Sequence, residues 1–220
     1  MRIGIIGSGH IGGTLVERLA AAGHDVGVAN AHGPRSLEDR AKHLGENVHA
    51  MTVDGAASYG DVVVVSIPFG VYRTVPAGAL RGKIVVDTEN YYPQRDGHVP
   101  ELDEDRTTSS ELLRSHLAGA RIVKAFNAIR WDTLAEEGVP TGTAGRVAIP
   151  LAGDDIEAKH VVEGLIDEIG FDPVDVGGLA DGGRRIQPGT PLYVAHLTAA
   201  EMRDQLAAGR EDRPRRPAVA

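Results

Sequence analysis

Short apolar blocks recur along the chain with polar, glycine-containing stretches between them. Ile3-Gly4-Ile5-Ile6, Val26-Gly27-Val28, Val62 to Val65, Lys83 to Val86, Ile122-Val123-Lys124 and Val147-Ala148-Ile149 are brief, β-branched and almost unbroken. Blocks of this kind read as strands buried on both faces, the pattern of a parallel sheet. Between them apolar residues return at helical spacing. Ile11, Leu15, Val16 and Leu19 share a face that ends at Gly23, and Ser36 through Leu44 predicts a second helix. Ser110 to Leu117 predicts a third, closed by Gly119, and Asp154 to Ile169 a long fourth with Asp154 as N-cap and Gly170 as its stop. A terminal helix is expected over Leu192 to Leu206, with His196 on it as a partly buried structural residue. Strand and helix alternate throughout, which predicts an α/β chain with a doubly wound parallel sheet and a short C-terminal helical extension.

Composition narrows this picture. The chain has 220 residues and 42% hydrophobic positions, enough for one domain with a full core. No linker divides it, so residues 1–209 are expected to form a single domain. The charged, proline-containing stretch 210–220 is expected to be a disordered tail. Cysteine is absent, which excludes disulfide frameworks, thiolate metal sites and a thiol nucleophile, and no metal site is expected. That composition, with no apolar run long enough to span a bilayer and a first strand that turns glycine-rich at once, fits a cytoplasmic protein away from membranes. The net charge is −8, with few aromatic residues, so nucleic acid is not an expected partner.

The candidate chemistry begins at Gly7-Ser8-Gly9-His10-Ile11-Gly12. This G-x-G-x-x-G directly follows an apolar strand and directly opens an amphipathic helix. Gly7 permits the tight turn, Gly9 lets backbone amides approach a pyrophosphate, and Gly12 lets helix and strand pack closely. The free N–H groups and the positive helix end offset a ligand's negative charge. His10 occupies a variable slot and is expected to face solvent. The fold this defines is the Rossmann type. At the end of the second block a reader of NAD would place Asp or Glu, but no carboxylate occurs before Glu38. Asn30, His32, Arg35 and Ser36 stand there instead and suit the 2′-phosphate of NADP(H); alternatively Arg35 and Ser36 simply begin the second helix, with Ser36 as N-cap.

Three further strand ends face the same crevice. Ser66-Ile67-Pro68-Phe69 follows the valine block, where Ser66 and Ile67 could line a ribose and Pro68 and Phe69 wall the nicotinamide. Asn90 and Asn127 follow the next two blocks and could hydrogen-bond a carboxamide or a substrate carbonyl. Asp87 reads either as a functional group or as a structural acceptor. No catalytic acid–base set can be singled out, so the catalytic residues stay unassigned, with Asn90 and Asn127 as candidates.

Taken together, the glycine loop, Asn30 to Leu37, Ser66-Ile67-Pro68, Asn90-Tyr91-Tyr92, Val123 to Asn127 and Ala152-Gly153-Asp154-Asp155 resemble the NADP oxidoreductases dependent on the deazaflavin coenzyme F420. The same set is similar to the reductase domain of STEAP-type metalloreductases. Where relatives often carry Ser-Arg after the Asn of the phosphate loop, this chain has Ala31-His32. The resemblance implies an NADPH-dependent oxidoreductase. It would pass a hydride to or from a flat acceptor, the deazaflavin or FMN, with the cofactors carrying the chemistry. Reduction of a small carbonyl or imine, with Tyr91, Tyr92 or His196 as proton donor, is the alternative, and a non-enzymatic nucleotide-binding module a third. A homodimer is expected, with Leu192, Ala195, Ala199, Met202 and Leu206 as its candidate face.

Overall fold

The six blocks all become strands, and two more join them. The computed structural model describes residues 1–211, with side chains through 208. The strands are β1 (Arg2–Ile6), β2 (Asp25–Ala29), β3 (Val48–Ala50), β4 (Val62–Val65), β5 (Ile84–Asp87), β6 (Arg121–Ala125), β7 (Ala148–Gly153) and β8 (Asp172–Asp175). They form one sheet in the order β3-β2-β1-β4-β5-β6-β7-β8. The helices are α1 (His10–Ala21), α2 (Glu38–Leu44), α3 (Val53–Tyr59), α4 (Ala77–Leu80), α5 (Pro93–Asp96), α6 (Pro100–Asp103), α7 (Ser109–His116), α8 (Trp131–Glu136), α9 (Ile156–Glu168), α10 (Asp181–Arg185) and α11 (Ala199–Glu211).

Burial on both faces explains the unbroken valine run. Val62 and Val64 enter the apolar layer shared with α1 and α9, while Val63 and Val65 enter the layer shared with α3 and α7. Each fully buried side chain of this size contributes about 1.5–3 kcal/mol. Chain order reverses between β1 and β4, which are parallel neighbours, and the carboxyl ends of these two strands open the crevice where such folds bind ligands.

The structure corrects several details. β7 runs antiparallel to β6, with Lys124 opposite Ala152, and parallel to β8; β-branched patterning reports burial and carries no direction, and an antiparallel neighbour can begin near where the previous strand ends. The second helix starts at Glu38, because Pro34–Ser36 forms a 3-10 turn first. Ser36 is therefore no N-cap. Its hydroxyl is shared between Asn30 Oδ1 and the Gly33 carbonyl. The cap of α9 is Asp155, which accepts from the Ala158 amide; Asp154 instead accepts from the Leu179 amide and pairs with Arg114. The terminal helix starts at Ala199, not Leu192. Thr198 and Glu201 cap it reciprocally, a signature present in the sequence. Residues 210 and 211 lie within that helix, and the remainder of the proposed tail falls outside the described residues. His196 precedes the helix, is exposed, and pairs with Glu137, which raises its pKa.

Leu192, Ala199 and Met202 are buried with Val174 and Val176 of the chain's own β8 region. Three residues of the face expected at a dimer interface thus pack on the chain's own sheet, with Leu206 against them.

Candidate functional site

The glycine loop forms through contacts that only glycine allows. Gly7 has φ +112° and donates to the Ala29 carbonyl, and a Cβ on it would stand 2.0 Å from the Ser66 oxygen. A Cβ on Gly12 would stand 2.1 Å from the Gly7 oxygen. These two glycines lock β1, α1 and β4 together. Gly9 is different: its missing Cβ would meet nothing within 4 Å. It is the N-cap of α1, without a side-chain cap and with no acid in the first turn. The first-turn amides therefore face open space under a positive helix end.

Asn30 organises the wall beyond the loop. Its Nδ2 donates to Ser8 Oγ at 3.2 Å, and its Oδ1 accepts from the His32 amide at 2.9 Å. Gly7, Ser8, Gly9, Asn30, His32, Ser66, Ile67 and Pro68 line one cleft of about 690 Å³, with Val53 and Asp54 at the start of α3 as a further wall. That volume falls in the range of small-molecule sites. Arg35 and Ser36, on one 3-10 turn, are not among the lining residues; Arg35 is exposed and pairs with no carboxylate among the described residues. Ile11 packs against the core, so it offers the site its backbone only. His10 is exposed and stacks on Trp131, with ring centroids 4.8 Å apart.

Phe69 does not wall the cleft. It is 1% exposed and stacks on Tyr72, because the 3-10 turn Phe69–Thr74 directs it into the core. Val71 and Thr74 from that turn reach the cleft instead.

Asn90 and Asn127, at the ends of β5 and β6, are not among the residues that line this cleft. Asn90 Nδ2 donates to the Asn127 carbonyl at 2.8 Å, and Asn127 Nδ2 donates to Asn90 Oδ1 and to the Ile186 carbonyl. Beneath them Asp87, Glu89 and Lys124 are each at most 2% exposed. Lys124 Nζ lies 3.4 Å from Asp87 Oδ2 and donates to the Glu89 carbonyl at 2.8 Å. Asp87 also accepts from Ser110 Oγ and the Glu89 amide, so it is a structural hub. Burial first, and the neighbouring Asp87 second, push the Glu89 carboxyl up to about 9 against the opposing pull of Lys124. Sequence reasoning passed over Glu89 and Lys124. The available signal was Lys124 itself, a cation inside an otherwise apolar strand, which has to find a buried partner.

The tyrosines are engaged elsewhere. Tyr91 donates to Asp103 and accepts from the Val99 amide, tying down the α5–α6 segment. The Tyr92 hydroxyl is bonded to that of Tyr193.

A mostly parallel sheet with chain reversal at β1 and β4, a glycine loop capping α1 and a cleft over both strand ends define a dinucleotide-binding protein of the Rossmann type. Residues 2–91 match the family "NADP oxidoreductase coenzyme F420-dependent". It is 31% identical over 182 residues to the metalloreductase STEAP3 of Rattus norvegicus, a match that covers 81% of this chain and 34% of the relative. Over 64 residues it is 42% identical to the protein YjhV of Escherichia coli, covering 29% of this chain and 46% of the other. The chain thus spans less than half the length of either curated relative. Among solved structures, a hypothetical protein of Sinorhizobium meliloti superposes with a TM-score of 0.78 at 33% identity, covering 90% of this chain and 95% of that one. A candidate F420-dependent NADP-reductase of Arthrobacter sp. FB24 superposes with a TM-score of 0.68 at 26% identity, covering 83% and 88%. No helix among the described residues is long and apolar enough to cross a membrane.

Proposed function

We propose that this oxidoreductase moves a hydride between NADP(H) and a flat acceptor, a deazaflavin or a flavin. The observation that carries the reading is the contrast within the glycine loop. Gly7 and Gly12 are glycines for packing, whereas Gly9 is a glycine with nothing of the protein near it. A vacant Cβ position at the uncapped start of a helix suits a pyrophosphate brought up to backbone amides. Asn30 and the exposed, unpaired Arg35 suit the 2′-phosphate, with Ser36 and His32 beside them. When bound, the nicotinamide supplies the hydride chemistry. The chain's own residues bind, orient and exclude water: the α1 amides hold charge, Ser66 to Pro68 line the cleft beside them, and Asn90 and Asn127, beyond that lining, are assigned to the nicotinamide end.

The engaged tyrosines favour a flat acceptor over a small carbonyl or imine. Such a substrate needs a placed proton donor, and the candidates the sequence offers, Tyr91, Tyr92 and His196, are each hydrogen-bonded within the protein. The names of the family and of the Arthrobacter neighbour support the deazaflavin. The test is anaerobic NADPH oxidation followed by absorbance, with coenzyme F420 and with FMN as acceptors in parallel. Turnover with one of them is expected, and turnover with neither overturns the reading.

A further inference from the structure

Among the described residues three buried side-chain polar atoms have no hydrogen-bond partner, and all three belong to residues that follow neighbouring strands: both carboxyl oxygens of Glu89, and Oδ1 of Asn127. Folded chains leave few such atoms, because each forfeits the full cost of its desolvation. Glu89 stands just beyond the end of β5 and Asn127 just beyond the end of β6. The two strands are parallel neighbours, and Asn90 ties their loops together. Their carboxyl ends continue the sheet edge that carries the glycine loop and Ser66, along which a bound dinucleotide would run.

We propose that the Glu89 carboxyl and Asn127 Oδ1 hold the carboxamide of the nicotinamide, a role that rests on the cofactor reading above. A primary carboxamide presents one strong acceptor oxygen and two N–H donors. Asn127 has already used its Nδ2 on Asn90 and Ile186, so it has an acceptor left to give. The groups facing Glu89 are Asp87, Lys124 and, from the α5 segment, Arg95 and Asp96; burial and Asp87 outweigh the cations, and the carboxyl keeps its proton at neutral pH. A neutral carboxyl has one O–H donor and one carbonyl acceptor. The site therefore offers one donor and two acceptors, the complement of the amide. An ionised Glu89 would offer acceptors only and would repel the amide oxygen. All three atoms are covered by protein and stand outside the lining of the glycine-loop cleft, so their engagement requires a local opening at the ends of β5 and β6.

The test compares wild type, Glu89→Ala and Glu89→Gln for binding of two probes, NADPH and 2′,5′-ADP, which carries the adenosine half without the nicotinamide. Glu89→Ala is expected to weaken NADPH about tenfold and leave 2′,5′-ADP unchanged, the size expected for one or two lost hydrogen bonds. It is also expected not to lower the thermal midpoint, because it deletes a buried group that has no partner. A merely structural carboxyl would give the opposite pair of results. Glu89→Gln keeps a donor and an acceptor and is expected to stay within about threefold of wild type. Raising the pH from about 7 to about 10 is expected to weaken NADPH for wild type and not for Glu89→Gln. If wild type binds both probes and Glu89→Ala binds NADPH equally well, the proposal is overturned while the cofactor reading stands, and a buried water accounts for the three atoms. If wild type binds neither probe, both readings fail.

Discussion

The glycine-loop cleft and the end proposed for the nicotinamide are built on opposite plans. At the glycine loop the groups on offer are backbone amides, made available by leaving side chains out, and the surroundings are open. At the ends of β5 and β6 the working groups are side chains, crowded into a nearly solvent-free cluster of two acids and one base. The first end spends almost no folding energy on polarity. The second carries buried charge that persists only while its members balance one another. The difference teaches where each end is vulnerable: the loop to added bulk, the cluster to a lost partner.

The largest effect is expected from breaking that balance. Lys124→Met leaves Asp87 and Glu89 buried with no cation, and loss of one member of a buried pair destabilises by about 3–5 kcal/mol. Thermal unfolding of the variant is expected to fall by roughly 10 °C for a chain of this size. A midpoint near that of wild type would show that the cluster is far better hydrated than its burial implies.

Next come paired glycine substitutions at the other end. Gly12→Ala forces a Cβ to within 2.1 Å of the Gly7 oxygen, and overpacking of this kind is expected to destabilise by about 2–4 kcal/mol. Gly9→Ala meets nothing, so stability is expected within about 1 kcal/mol of wild type. NADPH affinity is nonetheless expected to fall at least about tenfold, because the methyl group occupies the approach of the phosphates to the amides. Calorimetric binding beside thermal melts separates the two, and equal behaviour of both variants would contradict the division of labour within the loop.

The two ends also differed in how far the sequence revealed them. The glycine loop is a local motif: Gly7 to Gly12 lie together in the chain, and their strand–helix context is readable from neighbouring residues. Asn30 was legible for the same reason, as the first polar side chain after a valine-rich strand. The β5–β6 cluster joins residues far apart in sequence, and only the sheet register, which sets Asp87 beside Lys124, brings them into contact. Asn90 and Asn127 were visible as polar residues at strand ends. That Glu89 lacks any partner is a property of packing that no spacing encodes. The reversed direction of β7 and the start of α2 escaped for related reasons, since burial patterns are silent about polarity and Ser36 suits both a cap and a turn.

Glu89 itself predicts a smaller, pH-dependent effect on stability. Its folded pKa lies above the ordinary 4.5, so the folded state holds a proton that the unfolded state releases. Stability from that proton is fully present below about pH 4.5 and is lost as pH rises toward about 9. Replacing the acid by an apolar residue removes this dependence. Glu89→Leu is therefore expected to be more stable than wild type by about 1–3 kcal/mol near pH 8, with a smaller gain near pH 5. Denaturant titrations at the two pH values check the sign. A gain that is larger at the lower pH would mean that Glu89 is ionised in the folded protein.

The smallest effect belongs to the open end and sharpens the comparison most finely. Arg35 is exposed and unpaired, so Arg35→Glu is expected to leave stability within about 0.5 kcal/mol. If Arg35 reads the 2′-phosphate, the substitution weakens NADPH by about tenfold or more while NADH changes little, since only NADPH carries that charge. The difference should also shrink as salt is raised, because an exposed pair is screened over a Debye length of about 10 Å at 0.1 M. The proposed Glu89 contact, being buried, should show no such salt dependence. Equal loss for NADPH and NADH would instead move the phosphate-reading role to Asn30 and Ser36, whose hydrogen bonds already shape that wall.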